Sequence, residues 1–337
     1  IYVYRANHGQ WSTTWGSGDR GPRSARSLDL RGLLDPADQQ EFAKIYISAF
    51  LEHSLRGDER YLPLFRDHRV AGGWLPETMY VTQFQDGTFR PLATFEEDID
   101  VTTGGAGGVG LMGDSLSTWR EGELVLRSRN RSSTSSSQLN QAVWLGWNRA
   151  VSGSEDLGRP ATFTISLPDS LGAAWSLGEG ASLQLSLVAT DDEPGPRTAA
   201  DTANQQGDRG PISEPDTEVD RNETEEPINL SIEIGDAKGR SAKVKLGDYG
   251  PIRRPLETRI MRRSDQEDRF DELYELVFQT FSIPLSDFTR LDPVLDLQAI
   301  QEIRLVFDLS EAGTVVLDDV GIAFLDDAYM TVRVSAN

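Results

Sequence analysis

The chain has no cysteine among its 337 residues, which excludes disulfides, thiolate metal sites and a cysteine nucleophile. That absence leaves the compartment open. Positive charge is also short. Lys and Arg total 33 against 54 Asp and Glu, and the resulting formal charge of -21 repels phosphate backbones and anionic membrane surfaces. No nucleic-acid partner and no membrane partner are therefore expected. No apolar run approaches the ~20 residues needed to span a bilayer. A G-x-S-x-G nucleophile elbow is missing as well: Gly113-Asp114-Ser115-Leu116-Ser117 lacks the final glycine, and residues 178–182 lack the central serine.

What is present begins with Ile1-Tyr2-Val3-Tyr4, a β-branched and aromatic run that predicts a short buried strand. Ala6-Asn7-His8-Gly9-Gln10 follows, so His8 is expected at the strand's C-terminal end, the edge of an open α/β sheet where catalytic groups gather. Asn7-His8-Gly9-Gln10, with Trp15-Gly16 and Asp19, resembles the catalytic-histidine loop of secreted α/β-hydrolases of the serine esterase and dienelactone hydrolase kind. The resemblance covers residues 1 to about 75. It implies that the chain begins inside the last strand of a hydrolase domain, with nucleophile and acid upstream of residue 1 and His8 as the triad base. Such an enzyme cleaves carboxylic esters, small or polymeric, and needs no cofactor for catalysis. This piece alone would be inactive. The other reading makes His8 a polar residue at a strand end.

Asp35 predicts a helix N-cap, Pro36 suits the first helical position, and Phe42, Ile45, Tyr46, Ala49 and His53 recur at helical spacing before Gly57. His53 lies on that stripe and is expected to pack or to close the helix. The hydrolase remnant is taken to span residues 1–77.

From residue 78 the period becomes two. Residues 79–84, Asp86-Gly87 and Phe89 onward predict a hairpin. Further strands are expected at 123–127, 141–147, 161–167, 182–190, 228–234, 241–246, 273–283, 303–308 and 313–324, with a short helical piece at 296–301. The fold class is mainly β, an antiparallel jelly-roll sandwich over residues 78–337 preceded by the partial α/β-hydrolase remnant. Trp119, Trp144, Trp147 and Trp175 belong to its core or form a sugar-stacking platform. Phe278 to Phe288, Ile300 to Phe307 and Gly313 to Val320 resemble the end of galactose-binding-like jelly rolls, of which carbohydrate-binding modules are members.

That second resemblance makes residues 94–97 the opening strand and implies a structural calcium ion held by Glu96 and Asp319. Alternatively Glu96, Asp318 and Asp319 are solvated acids in a chain acidic throughout. Asp319 shares the strand phase of Val315 and Leu317, so its carboxylate turns inward unless the strand bulges or ends there. Residues 191–227 carry hardly any large apolar side chain and are expected to be a disordered insertion, with shorter mobile loops at 128–137 and 104–110. Three classes follow: the C-terminal part of a secreted or periplasmic ester hydrolase, a carbohydrate-binding module acting on a polysaccharide or polyester surface, and a structural sandwich.

Overall fold

Leucine alternates with serine and glutamine from Ala181 to Ala189, a period of two that puts the leucines on one face of a strand. The computed structural model describes residues 1–15, 29–125, 137–154, 156–190, 192, 194–196, 227–257, 274–326 and 329. Its strands are β1 (Tyr2–Val3), β2 (Tyr80–Val81), β3 (Arg90–Ala93), β4 (Gly110–Asp114), β5 (Thr118–Val125), β6 (Ser137–Asn148), β7 (Ala161–Ser166), β8 (Ala181–Ala189), β9 (Ser231–Asp236), β10 (Ser241–Lys245), β11 (Leu256–Glu257), β12 (Tyr274–Glu275), β13 (Gln279–Pro284), β14 (Ile300–Phe307) and β15 (Ala312–Phe324). The helices are α1 (Pro36–Arg56), α2 (Leu62–Arg66), α3 (Leu171–Ala174) and α4 (Leu285–Leu291).

One sheet has the order β10-β9-β14-β7-β4; the other runs β13-β8-β15-β6-β5, with β3 added against β15. All pairings are antiparallel, and successive strands from β6 to β9 and from β13 to β15 cross between the sheets, which makes the protein mainly β with a sandwich core. Leu183, Leu185 and Leu187 of β8 face Ile232 and Ile234 of β9 and Ile303 and Leu305 of β14 in one buried cluster. Each such side chain contributes roughly 1.5–3 kcal/mol on burial. Trp147 is wholly buried, stacks on Phe307 at 4.4 Å and donates its indole N–H to Ser310 O at 3.1 Å, so it is a core residue. Trp119 and Trp175 pack against the same cluster and Trp144 lies in a second one; none of the four is an open platform.

The outer face of β8 is polar yet buried, and each side chain finds a partner: Ser182 donates to Ala323 O, Gln184 Nε2 to Phe84 O, and Ser186 pairs with Thr280, leaving the Gln184 Oε1 without a donor. Residues 82–84 lie across this face, where Thr280 N donates to Thr82 O and Phe84 N donates to Thr280 Oγ1. They connect to the N-terminal part, in which Phe42, Tyr46 and Ala49 of α1 bury against Leu64 and Tyr80. The expected ends of α1 hold: the Asp35 side chain accepts from Ala37 N, and Gly57 closes the helix with φ 67°. The His53 carbonyl accepts from Gly57 N, as a helix-end residue should.

One expectation is not shown and others are corrected. Among the described residues nothing shows a hydrolase remnant: β1 is two residues long and its one partner, β2, runs antiparallel. The hairpin expected around Asp86-Gly87 does not form, because β2 pairs back to β1 while the Asp86 carboxylate caps Thr88 N. The opening strand is β3 at Arg90–Ala93, not residues 94–97, and the helical piece near 296–301 is a single 3-10 turn at Leu297–Ala299. The glycine-rich stretch 104–110 is packed rather than loose. Gly104 N donates to Val109 O, and a Cβ on Gly104 would meet Val109 Cγ1 at 2.6 Å and Leu92 O at 2.7 Å. Most of 191–227 and of 128–137 lies outside the described residues.

Candidate functional site

His8 begins the 3-10 turn Gly9–Trp11 that follows β1, with its imidazole exposed. The loop is fixed from behind. Gln39 of α1, fully buried, donates to Gln10 Oε1 at 2.5 Å and accepts from Asn7 N at 3.2 Å. Among the described residues His8 makes a ring contact with Trp15 at 5.3 Å and no hydrogen bond, so neither a carboxylate nor a hydroxyl is brought to it.

The acids Glu96, Asp318 and Asp319 are brought to one edge, and a backbone irregularity does it. Across β15 and β8, Asp318 pairs with Ser186 and Gly321 with Gln184, so one extra residue is inserted and Asp319 sits at φ 49°. The insertion resolves the alternation problem. Val315 and Leu317 precede the bulge in the core, Val320 and Ile322 follow it in the core, and Asp319 is left half-buried at the edge. Asp318 accepts from Asn140 Nδ2 at 2.9 Å and from Asp319 N at 2.8 Å, while Glu96 accepts from Gln141 N. Burial, then the neighbouring Asp319 carboxylate, pushes Asp318 up to about 7; burial and Glu96 raise Asp319 as well. Burial and the nearby Glu97, Asp98 and Asp100 likewise push Glu121 up to about 7. A hard cation suits such a set, since it would relieve repulsion that protonation otherwise relieves. Among the described residues no group of three His, Asp or Glu already stands in a metal-holding arrangement.

A cavity of about 360 Å³ opens where three separate stretches meet. Its floor is the outer face of β13, with Thr280 and Ser282; one wall is Arg66 to Val70 with Tyr80 and Thr82, and the other is Asp248 to Pro251 with Arg253. Arg66 is held rigidly. Its side chain, 2% exposed, pairs with Asp86 and with Asp326 (3.2 Å) and lies over the rings of Phe84 (5.2 Å) and Tyr329 (5.9 Å). Nη1 of the same guanidinium is buried without an acceptor. Arg69 is tied to Asp67 at 2.7 Å and donates to Tyr249 O at 3.1 Å, which fastens one wall to the other. His68 Nδ1 lies 3.2 Å from Thr82 Oγ1, and burial pushes its pKa down against the pull of Asp67, helped by the nearby Arg69 and Arg253 cations. Among the described residues Arg253 and Asp248 have no ion-pair partner.

Sequence reasoning did not find this cavity. Its residues run from Arg66 to Tyr329 along the chain, so no local spacing marks them. Only the run Arg66-Asp67-His68-Arg69, dense in charge where a linker would be bland, hinted at it.

No protein-family model matches the chain, and no curated protein matches it. Solved structures resemble it loosely. A family 11 carbohydrate-binding module of the cellulosomal cellulase Lic26A-Cel5E of Clostridium thermocellum is 10% identical over 72% of this chain and 97% of that one, with a TM-score of 0.32. A family 30 module of the cellulosomal cellulase Cel9D-Cel44B of Clostridium thermocellum is 9% identical over 64% and 95%, with a TM-score of 0.30. An exo-β-agarase is 10% identical over 72% of this chain and 26% of its own, with a TM-score of 0.37. At these scores no residue-by-residue correspondence is drawn.

Proposed function

We propose that this sandwich is a non-catalytic binding module whose ligand is a carbohydrate, seated in the cavity between β13 and residues 66–82. The carrying observation is the cavity's make-up. Hydroxyl, amide, carboxylate and guanidinium groups converge beside tyrosine rings in a space of about 360 Å³, within the range of small-molecule sites. Sugar hydroxyls donate and accept at once and match such a mixed lining, with the half-buried Tyr249 as its most open aromatic. Retention on insoluble polysaccharides and titration with soluble oligosaccharides test it. The protein is expected to bind, and Ser282→Trp, which fills the cavity, is expected to abolish binding without moving the thermal midpoint. Failure of every saccharide to bind, or normal binding by S282W, overturns the reading.

A second proposal keeps His8 as the base of an esterase triad, completed by a serine and an acid that this chain does not supply. One observation favours it: an exposed imidazole with no hydrogen bond among the described residues, on a loop braced by the buried Gln10–Gln39 pair. The chain alone should not turn over an aryl ester. With the missing groups present, His8→Ala should cost several orders of magnitude in turnover, and near-normal turnover would make His8 structural.

Calcium at Glu96 and Asp319 is proposed on the same footing, with Asp318 beside them and carbonyl and water oxygens completing six to eight ligands at about 2.3–2.6 Å. Saturation at about 100 times the dissociation constant should add ~2.7 kcal/mol of stability. Identical melting in calcium and in chelator removes the metal. Secretion or periplasmic residence and a division into residues 1–77 and 78–337 complete this proposal, with fractionation and limited proteolysis as their tests. No helix among the described residues is long and apolar enough to cross a membrane.

A further inference from the structure

Resting on the carbohydrate reading of the cavity, we propose that its ligand carries a carboxylate, a uronic acid rather than a neutral sugar, and that Arg253 is the residue that reads it. Three guanidinium groups line the cavity, and they are not equivalent. Arg69 is committed to Asp67, and Arg66 is more than neutralised by Asp86 and Asp326. Arg253 has neither arrangement: it lines the cavity with no counter-charge among the described residues. Arg253 is exposed, so its guanidinium is open to an anion delivered by the ligand, and among the described residues no carboxylate has to be displaced from it.

The planar fork of a guanidinium matches a carboxylate with two parallel charge-assisted hydrogen bonds, whereas a hydroxyl pair offers the same fork only neutral acceptors. Arg66 does not compete for the ligand's charge: its own is spent on Asp86 and Asp326, and its side chain is 2% exposed. Asp248, the unpaired acid of the lining, is exposed and keeps its water, leaving it available to accept from a sugar hydroxyl. Tyr249 presents its backbone carbonyl to Arg69 and its hydroxyl to Asp287 at 2.7 Å, which pins the loop that leads to Arg253. The charge of the whole chain, -21, sets a limit. A long polyanion would be repelled at its flanks, so the fitting ligand is one uronate unit or a chain end.

Calorimetric titration with galacturonate, galactose and acetate, at low and at high salt, tests the inference on the wild-type protein, Arg253→Gln and Arg253→Lys. The wild type should bind galacturonate about tenfold tighter than galactose, a charge-assisted hydrogen bond's worth, and high salt should erode the difference. R253Q should bind galacturonate no more tightly than the same variant binds galactose, and R253K should recover part of the preference. Equal affinities in the wild type, or a preference that survives in R253Q, overturn the inference while leaving the carbohydrate reading intact. Acetate binding as tightly as galacturonate overturns it by making the site a bare carboxylate pocket. If no sugar binds at all, it is the carbohydrate reading that fails.

Discussion

The sandwich and the N-terminal part bury apolar surface with unequal means. Two sheets facing each other close a core on their own: β8 and β15 present leucine and valine to isoleucine and leucine of β9 and β14, and the outer polar groups find partners one by one. The N-terminal part has one long helix and a ribbon of two short strands. Its cluster among the described residues is Phe42, Tyr46, Ala49, Leu64 and Tyr80, with Ile45 packed against it, and one face of α1 is left uncovered. Ile47, Phe50, Leu51 and Leu55 form a second stripe on that helix, and all four are exposed, Leu55 at 77%. A sheet has two faces to share between core and solvent, whereas a lone helix with apolar residues on two stripes is satisfied on one of them.

The comparison breaks first at the cores. Trp147→Ala removes the largest fully buried side chain of the sandwich and its stack on Phe307, and should cost about 3–5 kcal/mol. Its expected signature is a fall in the main denaturant midpoint with the slope unchanged. Phe42→Ala removes an aromatic of similar chemistry, yet its loss should be confined to α1 and β2, read as faster amide exchange there with the main transition in place. If F42A shifts the main transition as W147A does, the two regions are one cooperative unit.

Arg66 is the joint between them. It belongs to α2 but pairs with Asp86 and with Asp326, which follows β15, and it is almost completely enclosed. Arg66→Ala leaves two partly buried aspartates facing each other and should cost about 3 kcal/mol. A cost under about 0.5 kcal/mol would show that the joint carries no weight.

How much of this was legible follows from how local each signal is. The ends of α1 were readable because Asp35, Pro36 and Gly57 act within a turn of where they sit, and the inner strands were readable because alternation is a property of the strand itself. The bulge at Asp319 was visible only as a contradiction, an acid in the phase of Val315 and Leu317, that strand geometry had to resolve. The helix α4 was not anticipated, since the expected strand ends at residue 283 and nothing was assigned to residues 285–291; Pro284 is its N-cap, and Leu285 and Phe288 enter the core. The cavity was illegible, since Arg66, Arg253 and Thr280 meet only through the docking of residues 82–84 across β13.

Asp318 sharpens the contrast from the sandwich side, where a charge is placed inside an otherwise apolar edge. Its folded-state pKa, about 7, lies above the ~3.9 of an unfolded aspartate, so between those values the native state holds the proton more tightly. Stability should therefore be fully present below about pH 4, fall as pH rises toward 7 and level off above it. Asp318→Asn removes the charge and keeps one of the two acceptor oxygens that serve Asn140 and Asp319 N, so in chelator at pH 8 it should still gain on the order of 1 kcal/mol and flatten the profile. An unchanged midpoint at pH 8 would mean that the carboxylate is adequately solvated. Bound calcium would reverse the sign, because D318N then loses part of the cation's surroundings.

The smallest effect concerns the stripe that α1 leaves uncovered. Leu55→Glu and Phe50→Gln replace exposed apolar groups that touch no cluster, so folding stability should change by less than about 0.5 kcal/mol. Solubility is where the change should appear. An exposed apolar stripe draws copies together at high concentration, and the double variant should stay monomeric by light scattering where the wild type associates. The same two changes one helical face away, at Phe42 and Tyr46, would unfold α1, since those rings stack on each other at 4.6 Å and Phe42 lies 5.5 Å from Tyr80. A stability loss above about 1 kcal/mol in the Leu55 and Phe50 variant would show that the second stripe is packed in solution, and with it the difference between a satisfied sandwich and an unsatisfied helix would disappear.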